Sequence, residues 1–197
     1  MGRRFAIIGH RAQSTGKINL NDLAGSTGRI DVLARAVNTG LFLSHGIRND
    51  THVTLHLLGG PGPPRRIWFD GHNLRGVHPD ERAIAGQIGK ALKEPVPAIG
   101  NFVELHSGLS HSGGGLEQTV AEWKRENVRI FVLDAGGESY DLKKHGSDSI
   151  GFILSDDQPY SDSDLQAMNG LERISLGETW LQGHACISII HHHLDSH

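Results

Sequence analysis

The apolar residues of this 197-residue chain alternate between the period of a strand and the period of a helix. Phe5 to Ile8 is a continuous apolar run, as in a strand covered on both faces. Arg11 to Gly28 is a long polar stretch containing Gln13-Ser-Thr-Gly16 and Leu23-Ala-Gly-Ser-Thr-Gly28; loops of this length in compact domains are often functional. Ile30, Leu33, Ala34, Val37 and Leu41 then form a single apolar stripe, which predicts an amphipathic helix. Thr51 to Leu58 alternates as a strand, Gly59 to Pro64 turns the chain, and Arg65 to Phe69 returns as a second strand. Pro79 reads as a first helical position, with Asp80 and Glu81 as acids favoured at the positive end of a helix that ends before Pro95.

Glu94 to Gly115 is rich in Pro, Gly, Ser and His and reads as a loop. A helix from Leu116 to about Glu126 leads into a strand, Arg129 to Leu133. Further strands follow at Ile150 to Leu154 and Arg173 to Ser175, with helices over Ser163 to Gly170 and Leu181 to Leu194. Strands separated by helices predict an α/β fold, a single domain over residues 1–197 with a largely parallel sheet. Three strands empty into loops of small and polar residues: Asp134-Ala-Gly-Gly-Glu138, Ser155-Asp156-Asp157, and the segment around Gly177. Open α/β sheets bind ligands at the carboxyl ends of their strands, so these loops predict one side of a crevice. The Asp134 to Glu138 segment is only part of a nucleotide-binding glycine loop, and an ordinary strand-to-helix turn reads equally well.

Charge adds a second layer. The formal net charge is -3, which gives the whole molecule no attraction to nucleic acid. The distribution is uneven: Arg29, Arg35, Arg48, Arg65, Arg66, Arg75 and Arg82 lie in the first half, and Asp134, Glu138, Asp148, Asp156, Asp157, Asp162 and Asp164 in the second. Either a basic face or a solvated arginine-rich surface fits that pattern. The one cysteine, Cys186, excludes an intrachain disulfide and fits a reducing, cytoplasmic setting. Its surroundings suit a pocket wall better than a nucleophile, because His184 stands on another helical face. No signal peptide, membrane span or myristoylation signal is expected, position 6 being alanine. Fourteen histidines invite a metal reading, but His191, His192 and His193 point about 100° apart on a helix and no metal site is expected.

Taken together, four stretches resemble one family. They are Ile18 to Arg35, Phe42 to Asp50, His78 to Ala85, and the closing Arg173-Ile-Ser-Leu with Cys186-Ile-Ser-Ile-Ile-His191. In this order they resemble the TrmY family of tRNA pseudouridine methyltransferases, within the SPOUT superfamily. The resemblance implies a SPOUT-type sheet flanked by helices, a C-terminal trefoil knot and a homodimer. It also implies S-adenosyl-L-methionine as cofactor and N1 of pseudouridine 54 in the tRNA T-loop as target.

By position, Leu133 and Cys186 match family residues that contact the cofactor, and Leu176, Gly177, Glu178 and Leu181 fall in the knot loop. Leu154 and Ser155 complete the expected cofactor site, with Glu178 or Asp134 toward the ribose or the amino group. Asp31 and Asp80, with Glu81, are the candidate catalytic carboxylates; Arg29, Arg35 and Arg82 are the candidate RNA contacts. Two stretches depart from the family pattern. Ser155-Asp156-Asp157-Gln-Pro-Tyr160 lacks the family's glycines, and Phe102 to Gly115 lacks arginines found in archaeal members. The same chemistry on another RNA, such as ribosomal RNA, or an RNA-binding protein without activity, are the alternative readings.

Overall fold

The computed structural model describes residues 2–139 and 149–196; Asp148 falls outside them. The chain opens with β1 (Arg3–Gln13) and α1 (Ile30–Leu41), then a two-rung hairpin of β2 (Phe42–Leu43) and β3 (Gly46–Ile47). β4 (Thr51–Gly59) and β5 (Arg65–Asp70) precede α2 (Glu81–Lys93). β6 (Val103–His106), β7 (Leu109–Gly113), α3 (Leu116–Arg125), β8 (Arg129–Ser139) and β9 (Ile150–Ser155) follow. The described chain closes with α4 (Asp162–Ala167), β10 (Glu172–Ser175) and α5 (Gly183–Asp195).

Eight strands form one sheet in the order β10-β8-β9-β1-β4-β5-β7-β6. The five from β10 to β4 are mutually parallel, and β5, β7 and β6 add an antiparallel edge. β1 is central: Arg3 aligns with Thr51 on one side and Ile150 on the other, and Phe5 to Ile8 is buried on both faces. Burial on both faces is why this run is continuously apolar rather than alternating. One face, including Phe5, Ile7, Val53, Leu55 and Phe152, packs under α1, α2 and α5. The other, including Ala6, Ile8, Val132 and Ile153, packs under α3 and α4 with Trp123 and Met168. Among the described residues no helix is long and apolar enough to cross a membrane.

Three expectations change. Glu94 to Gly115 contains the β6–β7 hairpin, paired to β5, rather than being loop throughout. Its polarity misled because β7 lies beside two buried arginines: His111 accepts from Arg65 at 3.1 Å and Ser112 from Arg66 at 3.3 Å. Asp134 to Glu138 belongs to β8 rather than to a strand-to-helix turn. It is nevertheless set out of the ladder, because Arg173 aligns with Val132 but Ile174 with Glu138. Gly137 permits this: a Cβ there would lie 2.8–2.9 Å from the Arg173 and Ile174 backbone. Finally, α2 starts at Glu81, two residues later than the Pro79 start that the sequence suggested. Asp80 is its N-cap, in extended conformation, and accepts from the Ala83 N–H at 2.8 Å.

Candidate functional site

The carboxyl ends of β8, β9 and β10 and the first turn of α5 enclose a cavity of about 620 Å³. Leu133, Leu154, Leu176, Leu181 and Cys186 give it apolar walls; Asp134, Asp156, Asp157, Tyr160, Arg173 and Arg29 give it charge and hydrogen-bonding groups. Each wall comes from a local device. The displaced segment of β8 presents Leu133 to Ala135. Gly177, at φ 126°, turns the chain between β10 and α5, so that Leu176 and Leu181 both reach the cavity. α5 begins at Gly183 rather than Leu181, leaving Leu181 in the loop. Burial pushes the Cys186 thiol above its ordinary value, which suits a wall and not a nucleophile.

The segment Ser155 to Tyr160 forms another wall, and polar contacts fasten it. The Ser155 hydroxyl donates to the Gln158 carbonyl. The Tyr160 hydroxyl lies 2.8 Å from the Leu133 carbonyl and 3.1 Å from that of Ile153, bridging β8 to β9; burial raises its pKa. Asp156 accepts from both the backbone N–H and Nδ1 of His10, at 2.9 Å each. His10 Nε2 meets Asp164 at 2.8 Å. Hydrogen bonds from its ring to Asp156 and Asp164 lift His10 to about 9 against the opposing effect of burial. Burial pushes Asp164 up, but the bonds from His10 and Ser161 outweigh it and hold its carboxyl below the usual range.

On the α1 side, Arg29 is in the left-handed region (φ 68°, ψ 38°) at the N-cap of α1. A non-glycine residue there is strained, a state that tends to occur at functional positions. Its guanidinium donates to Asp31 at 2.9 and 3.0 Å and to Asp157 at 3.0 Å. Arg11 also reaches Asp157, and Arg35 also reaches Asp31. Burial raises Asp31, but Arg29 and Arg35 outweigh it and keep the carboxylate ionised.

Of the expected cofactor residues, Leu133, Leu154, Ser155, Leu176, Gly177, Leu181 and Cys186 converge on this cavity. Glu178 faces a neighbouring recess of about 570 Å³ with Ala135, Gly136 and His193. Asp134 lines the cavity but is already held by Arg173 at 2.7 Å. Asp31 stands one hydrogen bond behind Arg29 and does not line the cavity. Asp80 does not reach it; its carboxylate caps α2, and Glu81 lies beside Arg35 at 3.8 Å. Arg82 is exposed on α2 and donates to Asn21.

Of the seven arginines weighed as a basic face, Arg75 and Arg82 are exposed and the other five are engaged within the protein. Arg65 and Arg66 are fully buried, Arg48 is paired with Asp195, and Arg29 and Arg35 share Asp31. Among the described residues no group of three His, Cys, Asp or Glu is arranged to hold a metal ion. Sequence reasoning missed His10, Tyr160 and Arg173; His10 and Arg173 have partners far along the chain, and Tyr160 bonds backbone carbonyls, so none leaves a local pattern.

A cavity at the carboxyl ends of parallel strands, walled by a C-terminal turn and helix, defines an α/β ligand-binding domain of the nucleotide-cofactor type. Residues 2–197 match the model of a family described as "Putative SAM-dependent RNA methyltransferase". The tRNA (pseudouridine(54)-N(1))-methyltransferase of Haloarcula marismortui is 39% identical over 98% of this chain and 96% of its own length. That of Methanospirillum hungatei is 38% identical over 97% of this chain and 95% of its own. The crystal structure of Archaeoglobus fulgidus Nep1 bound to S-adenosylhomocysteine superposes with a TM-score of 0.71 at 12% identity, covering 99% of this chain and 98% of that one, and so shares the fold. The chain belongs to the tRNA (pseudouridine(54)-N(1))-methyltransferase family, the one named above as TrmY.

Proposed function

We propose that this protein transfers a methyl group from S-adenosyl-L-methionine to N1 of pseudouridine 54 in the T-loop of tRNA. The cavity carries the reading. Its volume of about 620 Å³ lies in the range of small-molecule sites. Five apolar side chains suit an adenine, and the polar groups at the strand ends suit the hydroxyl and amino groups of the cofactor. The bound cofactor supplies an activated methyl group for one in-line displacement. In the overall change the S–CH3 bond breaks, the N1–CH3 bond forms, and the N1 proton leaves to water.

The residues of this chain position the partners. Arg29, braced by Asp31 and Asp157, offers its guanidinium to an oxygen of the base or its phosphate. Asp31, held ionised by two arginines, serves as the brace of Arg29 rather than as a base. Arg82, exposed and clear of the cavity, is placed to meet a phosphate; Arg35 mainly secures Asp31.

We also infer the finer features implied by the family: a C-terminal trefoil knot over β10 to α5, a cytoplasmic location and a homodimer. In support of the dimer, Trp180 is 84% exposed, with Leu181 and Leu165 exposed nearby on the cavity rim. Light scattering of wild type and Trp180→Glu tests it: a dimer lost in the variant supports this contact, and a monomeric wild type excludes the assembly.

The decisive test is calorimetry with S-adenosylmethionine, using Leu133→Arg to fill the cavity. Micromolar binding by wild type, abolished in the variant, is expected, followed by methyl transfer to a transcript carrying pseudouridine but not uridine at position 54. Folded wild type that binds no cofactor, or that methylates both transcripts, would overturn the reading.

A further inference from the structure

We infer that His10 is a positioning residue, whose imidazolium, clamped between Asp156 and Asp164, holds the segment Ser155 to Tyr160 in its cofactor-binding shape. The inference deepens the function proposed above and rests on it.

The argument starts from the two carboxylates. The Asp156 side chain is 1% exposed and that of Asp164 3%; Asp156 lies within the segment that walls the cavity and Asp164 just beyond it. One imidazole spans both, at 2.9 and 2.8 Å. Asp156 also accepts from the Gln158 N–H at 2.9 Å, so it shapes the segment directly. Asp164 accepts from the N–H and hydroxyl of Ser161, at 2.8 and 2.6 Å, and so fixes where the segment enters α4. The ring therefore ties the end of β1 to both ends of the same segment.

The geometry dictates the charge. A neutral imidazole has one N–H and one lone pair. With either tautomer, one carboxylate would face a lone pair, and two buried like charges would stand without a cation between them. With Asp164 held ionised and Asp156 as carboxylate, both contacts persist together only when both ring nitrogens are protonated.

Other charged and titratable groups face the clamp. Tyr160, whose pKa is raised first by burial and also by Asp134 and Asp164, stays a neutral hydroxyl against the Leu133 carbonyl. Arg11, next on β1, faces Asp157. Arg29, before α1, is engaged with Asp31 and Asp157. His56 on β4 is fully buried and electrostatically coupled to Asp164 and Arg66. None supplies a second cation to Asp156 and Asp164 within bonding distance among the described residues. The folded pKa of His10, about 9, lies above its ordinary 6.5. The contribution of the clamp is therefore complete below 6.5 and is lost as pH rises through about 9.

Two measurements on the full-length protein test this. Nitrogen-15 NMR of the ligand-free protein, with His10 assigned by comparison with His10→Gln, should show both ring nitrogens protonated at about pH 7.5 and titrating near the raised pKa. Calorimetry with S-adenosylhomocysteine should then give a dissociation constant about tenfold weaker in His10→Gln at about pH 7.5, with the ratio approaching one at about pH 10. Running both proteins in the same buffers cancels titration of the ligand's own amino group. At saturating cofactor, kcat should change less than about twofold, because the loss is one of binding.

A neutral His10 at neutral pH, equal affinities, or a loss confined to kcat would overturn the inference. If His10→Gln does not fold, Asp164→Asn keeps an acceptor for Nε2 but removes the charge. It should lower the His10 pKa and weaken binding in the same direction, and failure of both effects counts against the clamp. Folded wild type that does not bind the ligand refutes the methyltransferase reading itself, whereas binding by wild type and variants alike refutes only the role of His10.

Discussion

Two arginine–carboxylate pairs, one at each side of the sheet, share a bidentate geometry and differ in almost everything else. On the antiparallel edge, Arg66 is completely buried and reaches Glu122 at 2.6 and 3.0 Å. Its remaining capacity is taken by Thr119 and Ser112, and its guanidinium lies 4.7 Å from the Phe102 ring centre. At the strand-end cavity, Arg29 keeps about a third of its side chain exposed, sits on a strained backbone and divides itself between Asp31 and Asp157. The first pair is saturated by its own protein and has no capacity left for a ligand. The second is held in place by acids behind it while its guanidinium remains at a cavity wall. Arginine in a sequence thus says little until its solvent exposure and its partners are known.

The comparison breaks most visibly at Glu122. Glu122→Ala should cost about 3–5 kcal/mol, because it strands a buried guanidinium. Urea unfolding measures the loss, and the folded fraction should bind cofactor normally. Arg29→Lys should do the opposite. It should lower kcat on the order of 100-fold, about 2.7 kcal/mol of barrier, while the melting temperature barely moves. Equal losses of stability in the two variants would erase the distinction.

Tyr160→Phe lies between, since it removes a hydroxyl shared by the ends of two strands. It should cost about 1–2 kcal/mol of stability and weaken S-adenosylhomocysteine binding, both readable by thermal shift with and without ligand. Asp80→Ala should cost about 1 kcal/mol through the lost cap and leave methyl transfer unchanged. If transfer collapsed instead, Asp80 would belong to the site after all.

The smallest effect concerns acid. His191 is pushed down to about 4, first by burial and then by Arg48 and Arg3. A depressed histidine gives full stability above 6.5 and loses it as pH falls toward the folded pKa. The melting temperature should therefore decline over that window in wild type, and less steeply in His191→Gln.

The parallel half of the fold was legible in the sequence, because burial on two faces writes itself as continuous apolar runs such as Phe5 to Ile8 and Ile150 to Leu154. The β6–β7 hairpin was not. Its inward side chains include His111 and Ser112, chosen to satisfy arginines on β5 rather than to repel water. The apolar walls of the site could be read from strand ends and family resemblance. The fastenings could not, because His10 and Asp164 are 154 residues apart and no local pattern relates them. Asp80 was ambiguous for a physical reason: an acid beside a helix start reads as a candidate carboxylate, and here it accepts from the Ala83 N–H as the cap of α2.

One contact joins the first described strand to the last described helix. Arg3, at the start of β1, is 7% exposed and holds Asp195 at 2.6 Å and the Leu194 carbonyl at 3.4 Å, while Phe5 meets the His191 ring edge-on at 5.2 Å. β1 is therefore made long before α5, the element that covers its charge and its aromatic face. Until residue 195 has been synthesised, the nascent chain carries an incomplete centre, and chaperones would have the time taken to make the residues between in which to bind it.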